Sequence, residues 1–223
     1  MKKLESSLKN MLVVLTTVTA VSVALLAYVN ALTQEPIAQA QANILKNAIG
    51  EVVPAFDNNP TDEVDEVEVS GQTIRIYAAM NAGNYVGSAV EAAAPGYGGD
   101  LRVLVGFDAE GKIHGYSILS HAETPGLGSK AVTWFQEGEK GDVIGKNPKT
   151  ADLRVTKDGG EVDAITASTI TSRAFLQAVQ TAFAAFKGNT KEAEAISGAT
   201  TKVESTEAVS DHKIEASSNN EKE

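Results

Sequence analysis

LRVLVGFDAEGKIHGYSIL, residues 101–119, reads as two strands joined by a tight turn. In its first half Val103, Val105 and Phe107 alternate with Arg102, Leu104 and Gly106, the period of two that sends successive side chains to opposite faces of a sheet. Asp108-Ala109-Glu110-Gly111-Lys112 has the polar, glycine-bearing composition of a hairpin turn, and the strand pattern resumes over residues 113–119. Working outward, residues 67–69, 73–78 and 85–92 carry the same signal upstream. Ala94-Pro95-Gly96-Tyr97-Gly98-Gly99 reads as a flexible loop. Downstream, residues 129–135 suit a short helix containing the one tryptophan, Trp134, and residues 153–156 a further strand. Residues 171–186 suit an amphipathic helix with Phe175, Val179, Phe183 and Phe186 on its buried face. Strands in succession with helices at the ends predict an α+β body built on a mainly antiparallel sheet.

The body, residues 59–188, follows a membrane segment and a stalk. Residues 11–29 (MLVVLTTVTAVSVALLAYV) carry no charge and approach the roughly 20 apolar residues that cross a bilayer as a helix, so residues 11–32 are assigned to a transmembrane helix. A cleaved secretory signal is the rival reading, but its apolar core is usually about 7–15 residues. Lys2, Lys3 and Lys9 precede the segment and no Lys or Arg follows until Lys46. That bias places residues 1–10 in the cytoplasm and the rest on the outer, periplasmic side of a cytoplasmic (inner) membrane. Residues 33–58 read as a stalk helix, with Pro36 in its first turn and Pro54 closing it, and the acidic turn 58–65 separates stalk from body. Residues 189–223, rich in Glu, Ala, Ser and Thr and without aromatics, read as an acidic disordered tail.

Composition removes several classes of function. A net charge of −10 on 223 residues argues against nucleic acid as a partner. The absence of cysteine rules out disulfides, thiolate metal sites and cysteine-bound iron–sulfur clusters. His114, His121 and His212 do not fall at metal-ligand spacing, and Asp62, Glu63, Asp65 and Glu66 lack the spacing of a calcium loop, so no metal site is expected. Phosphate-loop, dinucleotide and serine-esterase patterns are missing as well.

The chemistry-bearing stretch is Asp163-Ala164-Ile165-Thr166-Ala167-Ser168-Thr169, at the entrance of the last helix. Five hydroxyl residues fall within residues 166–172, an ordinary composition for a helix cap, with Ser168 or Thr169 as the capping residue. Small side chains, a helix N-terminus and the nearby cation Arg173 also suit an anionic phosphate. The stretch resembles the flavinylation motif, roughly Asp-x-x-Ser/Thr-Gly-Ala-Thr, of the FMN-binding domain shared by two ion-pump subunits. These are the G subunit of the Rnf-type ferredoxin:NAD oxidoreductase and the C subunit of the sodium-pumping NADH:quinone oxidoreductase. A second fragment, His121-Ala122-Glu123-Thr124-Pro125-Gly126-Leu127-Gly128, is similar to the Glu-Thr-Pro-Gly-Leu-Gly loop of the same domain. Without the family that fragment is merely a tight Pro/Gly loop.

The resemblance implies covalent FMN, joined through its phosphate to Thr169 by a dedicated flavin transferase that takes FMN from FAD. It implies that Glu123, Thr124, Leu127 and Gly128 face the flavin ring. Asp163, Thr166 and Ser168 would shape the segment that the transferase reads, and Thr171 and Arg173 would hydrogen-bond the phosphate. The sequence departs from the motif at Ala167 and Ser168, and any need for positive φ at the usual glycine position would disfavour Ala167. A near-copy, Glu194-Ala195-Ile196-Ser197-Gly198-Ala199-Thr200, matches the pattern more literally. Its tail context favours Thr169 over Thr200 as acceptor.

The implied function is that of a membrane-anchored electron-transfer subunit working with other membrane subunits of an Rnf-type complex. Such a subunit is a redox component with no catalytic residue of its own. The C subunit of the quinone reductase and a cofactor-free membrane adaptor are the alternatives.

Overall fold

The structure, a computed structural model, describes residues 8–62 and 64–204, the side chains of 190–204 excepted. Lys2 and Lys3, the side chain of Thr200 in the repeated motif, and residues 205–223 lie outside the described residues. The chain divides after Ala48 into two units.

The described residues of the first unit are helical. Helix α1, Leu8–Val52, contains the one stretch among the described residues that is long and apolar enough to cross a membrane, and that stretch is entirely exposed. The sequence predicts a break between transmembrane helix and stalk near Pro36. Instead Pro36 lies inside one continuous helix. Proline there offers no N–H to the Leu32 carbonyl four residues back, and nearby Thr33 donates its hydroxyl to Val29 O (2.9 Å) and Asn30 O (3.3 Å), carbonyls of the preceding turn.

The second unit is an antiparallel meander of five strands in the order β1-β2-β3-β4-β5: Val64–Val69, Gln72–Asn81, Asn84–Pro95, Asp100–Asp108 and Ile113–Ser120. The five strands expected between residues 67 and 119 are present, each longer by one to several residues. The first two hairpins turn through Ser70-Gly71 and Ala82-Gly83, both residues of each pair at positive φ, as a two-residue turn between right-twisted strands requires. The β4–β5 hairpin closes through Asp108, whose backbone N–H donates to Lys112 O while its carboxylate accepts from Lys112 N–H (2.8 Å).

Helix α3, Thr169–Glu204, lies against one face of the sheet. Val90, Ala92, Val103, Val105 and Phe107 from the sheet and Phe175, Val179, Ala182 and Phe186 from α3 form the main core. Phe175 stacks on Phe135 (centroids 4.1 Å, planes 4° apart) and meets Tyr116 edge-on. Burial also drives the Tyr116 hydroxyl well above its ordinary range, and that hydroxyl is satisfied by donating to Ala131 O (2.8 Å) and accepting from Phe135 N–H. The helix continues past Phe186, through the first part of the stretch whose composition predicts disorder. Ala, Glu and Lys dominate residues 191–195 and no proline interrupts, so propensity carries the helix on.

The opposite face buries Tyr77, Ala79, Ala89 and Leu104. There the end of α1 is seated on Gly106 and Gly115, which face one another across β4 and β5. Between β5 and α3 the chain is mostly irregular. A 3-10 turn, Gly128–Lys130, leads into the short helix α2, Ala131–Trp134, matching the short helix read from the sequence. Residues 153–156 form no strand: Val155 makes a single parallel bridge with Val162, and Thr156–Asp158 is a 3-10 turn. The segment is too short to pair further before Gly159 and Gly160 reverse it.

Candidate functional site

Three segments meet at the N-terminal end of α3: the β3–β4 turn (96–99), the loop after β5 (121–128) and the motif 163–169. Glu123 ties them together. One carboxylate oxygen accepts from the backbone N–H groups of Tyr97 (2.7 Å) and Gly98 (3.4 Å), and the other accepts from the Thr171 hydroxyl (2.7 Å). Glu123 is buried, 6% exposed, and a buried carboxylate is tolerated only when its oxygens are satisfied in this way. The β3–β4 turn is consequently held in place by a carboxylate 26 positions later, although its glycines read as a flexible loop. Gly128 is required by the same packing: a Cβ there would overlap Glu123 Oε2 and lie 2.7 Å from Thr171 Oγ1.

Around this carboxylate is a cavity of about 600 Å³, lined by Tyr97, Glu123, Thr124, Leu127, Gly128 and residues 167–171. That volume is in the range of about 300–1,000 Å³ usual for small-molecule sites. Tyr97, Leu127 and Ile170 present exposed apolar surface, while Thr124, Ser168, Thr169 and Thr171 supply hydroxyls. Apolar walls and a hydroxyl-rich helix start suit a ligand with an aromatic ring at one end and an anion at the other.

The motif folds as a turn followed by the helix. Ser168 N–H donates to Ile165 O (3.0 Å), and Ser172 fastens the turn by accepting from Ile165 N–H (2.9 Å) and donating its hydroxyl to Ser168 O (3.0 Å). Ser168 is thus the residue before the first helical turn, as its hydroxyl-rich context predicts for a cap. Beyond it the amides of Thr169, Ile170 and Thr171 have no helical carbonyl to donate to, as at every helix start. Ala167 occupies the third position of the turn at φ 61. This is the glycine position of the motif, and the structure demands there the positive φ that is unfavourable for alanine.

Replacing Ala167 by glycine therefore has a defined expectation. Positive φ costs a non-glycine residue about 1–2 kcal/mol, while glycine forfeits about 0.5–1 kcal/mol of chain entropy. Ala167→Gly should stabilise the domain by about 0.5–1 kcal/mol in a denaturant titration at unchanged slope. A loss of stability would mean that the turn is not in this conformation.

Of the residues singled out from the sequence, Glu123, Thr124, Leu127, Gly128, Ser168, Thr169 and Thr171 all line the cavity. Thr166 and Arg173 do not. Thr166 is exposed on the turn. Arg173 forms a two-pronged pair with Asp158 (2.7 and 2.6 Å), which holds the Asp158 carboxyl below the usual carboxylate range. One turn into α3, the Arg173 side chain meets the 3-10 turn before it meets the cavity. Ile170, which lines the cavity from α3, escapes sequence reasoning, and so do two residues of other segments. Tyr97 lines the cavity from the glycine turn, and Lys157 donates from Nζ to Thr169 Oγ1 (3.3 Å). The glycine cluster is the only local signal for the first. None exists for the second, because Lys157 and Thr169 meet only through the fold.

Residues 96–184 match the FMN-binding domain family, a span that includes every residue lining the cavity. The cavity therefore belongs to an FMN-binding domain. The chain is 33% identical over 204 residues to the G subunit of the ion-translocating oxidoreductase complex of Aliivibrio fischeri strain ES114, covering 86% of this chain and 96% of that protein. It is 37% identical over 161 residues to the corresponding G subunit of Cereibacter sphaeroides, with 69% and 73% covered, and over 172 residues to that of Photorhabdus laumondii, with 72% and 81% covered. The chain belongs to the family of G subunits of ion-translocating oxidoreductase complexes.

Proposed function

We propose that this protein is the membrane-anchored flavin subunit of an Rnf-type ion-translocating ferredoxin:NAD oxidoreductase, carrying FMN as a phosphoester on Thr169. The observation that carries the reading is the position of Thr169. It is the motif's last hydroxyl, half-buried at the cavity edge, on the first residue of a long helix.

The cavity fits the cofactor: its apolar walls suit an isoalloxazine ring, and the unpaired amides at the start of α3 suit a phosphate. When bound, FMN supplies reversible electron transfer at its ring. The chain's own residues position and shield it. Tyr97, Leu127 and Ile170 would flank the ring, and Glu123 holds the two loops and α3 together so that the cavity keeps its shape. No residue needs to move a proton for the subunit to conduct.

Attachment is a phosphoryl transfer. Thr169 Oγ1 bonds to the FMN phosphorus of FAD, the anhydride bond breaks, AMP leaves, and the hydroxyl proton passes to a base of a flavin transferase. Asp163 and Thr166, both exposed, present the segment to that enzyme. A covalent link keeps the cofactor in a compartment without free flavin. The charge bias around α1 orients the body to the outer face of the cytoplasmic membrane, beside the other subunits of the complex, where one anchoring helix raises the effective concentration of the flavin near its partners.

Mass spectrometry of peptides from protein matured with the transferase tests this reading. An FMN-sized addition is expected on the peptide containing Thr169, and its absence from every peptide defeats the proposal.

A further inference from the structure

We propose that Lys157 is the cation that holds the phosphate of the flavin ester, an inference that rests on the assignment of the ester to Thr169. Esterification leaves a phosphodiester with one negative charge at neutral pH, so a single cation neutralises it. Lys157 Nζ lies 3.3 Å from Thr169 Oγ1, and the phosphorus would be one bond beyond that oxygen. The free phosphate oxygens consequently come within the ammonium's reach.

The neighbouring cations are already engaged. Arg173 is bound in two-pronged fashion to Asp158, and Arg154 pairs in the same way with Asp152 (2.8 and 2.5 Å). Among the described residues Lys157 makes no carboxylate pair. Of the carboxylates nearby in sequence, Asp158 is held by Arg173 and Asp163 accepts from the Thr156 hydroxyl (3.4 Å). The backbone bearing Lys157 is fixed on both sides, by Thr156 N–H to Val162 O (2.9 Å) and Asp158 N–H to Val155 O (2.8 Å). A fixed backbone with a flexible, exposed stem suits a lysine that must follow a phosphate through attachment. Lys157 supplies the full charge, and the amides at the start of α3, which have no helical partner, supply further donors.

The test uses the full chain produced with and without the transferase, treated with an amine-acylating reagent and read by mass spectrometry. In the flavinylated protein, acylation of Lys157 is expected to slow about two- to five-fold, the span of an exposed ion pair, while exposed Lys149 reacts equally in both forms. Phosphorus NMR provides the second readout. The diester resonance of the wild type should move in Lys157→Gln, which removes the positive charge beside the phosphate. Lys157→Arg, which keeps the charge, should leave the resonance near its wild-type position. If Lys157 reacts equally in both forms while Thr169 carries the FMN mass, the pairing is wrong and the ester stands. If Thr169 carries no FMN mass, both fall together.

Discussion

Produced together with a flavin transferase, the Thr169→Ala chain is expected to migrate on a denaturing gel with no flavin fluorescence, where the wild type glows under ultraviolet light. The effect is all-or-none because a phosphoester needs the oxygen that the substitution removes, and the neighbouring hydroxyls are poor substitutes. Thr171 is 1% exposed and donates to Glu123, Ser168 is 8% exposed, and Thr166 is outside the cavity. Thr169→Ser, which keeps a hydroxyl, should restore the band. The fold should be nearly indifferent: a half-buried change at the cavity edge, away from the core, moves stability by about 0.5 kcal/mol. The decisive comparison is Thr200→Ala, which is expected to keep full fluorescence. A fluorescent Thr169→Ala chain beside a dark Thr200→Ala chain would transfer the site to the repeated motif.

The second large effect falls on stability. Gly106 is buried in β4 opposite Gly115, and a Cβ at Gly106 would overlap the carbonyl oxygen of Val52 and lie 3.0 Å from its Cβ. The obstacle is backbone, which cannot swing aside as a side chain can. The methyl group of Gly106→Ala must therefore lift the residues at the end of α1 from the sheet, loosening Ile49, Val52 and Val53, all buried. Overpacking alone costs about 1–3 kcal/mol, and lost contacts place the total near the top of that range or above it. For a body of this size about 3 kcal/mol lowers Tm by about 6–12 °C. Gly115→Ala should cost less, because its Cβ would come no closer than 3.0 Å to Val52 Cα. Gly50→Ala, in the same helix end with open space around it, should be neutral or stabilising. A melting curve for Gly106→Ala that matches the wild type would show that the helix end does not rest on this pair.

These two substitutions differ in how far the sequence could foresee them. Thr169 is legible because its signal is contiguous: small and hydroxyl residues in a fixed order before an amphipathic run. Gly106 reads only as one more position in an alternating strand, and nothing local says that a helix end more than 50 positions earlier comes to rest on it. The same division runs through the site. Glu123, Thr124, Leu127 and Gly128 are recognisable as a loop by their neighbours in sequence. Their binding to the β3–β4 turn is invisible there, since a run of glycines looks mobile until the carboxylate that pins it is known. Arg173 is near Thr169 along the chain, which suggests the phosphate as its partner, but Asp158 satisfies it first. Lys157, separated from Thr169 by 12 positions, is the cation whose ammonium donates to the Thr169 hydroxyl.

The sequence by itself determined the five strands of the sheet and the turn joining the last two, the apolar helix, the amphipathic helix over the sheet and the motif at its entrance, because each is written in residues adjacent or periodic along the chain. Only the tertiary structure decided which charges pair, which glycines carry contacts, and that Ala167 must take a left-handed backbone. Those outcomes depend on distances between segments remote in sequence, and such distances exist only after the core has closed.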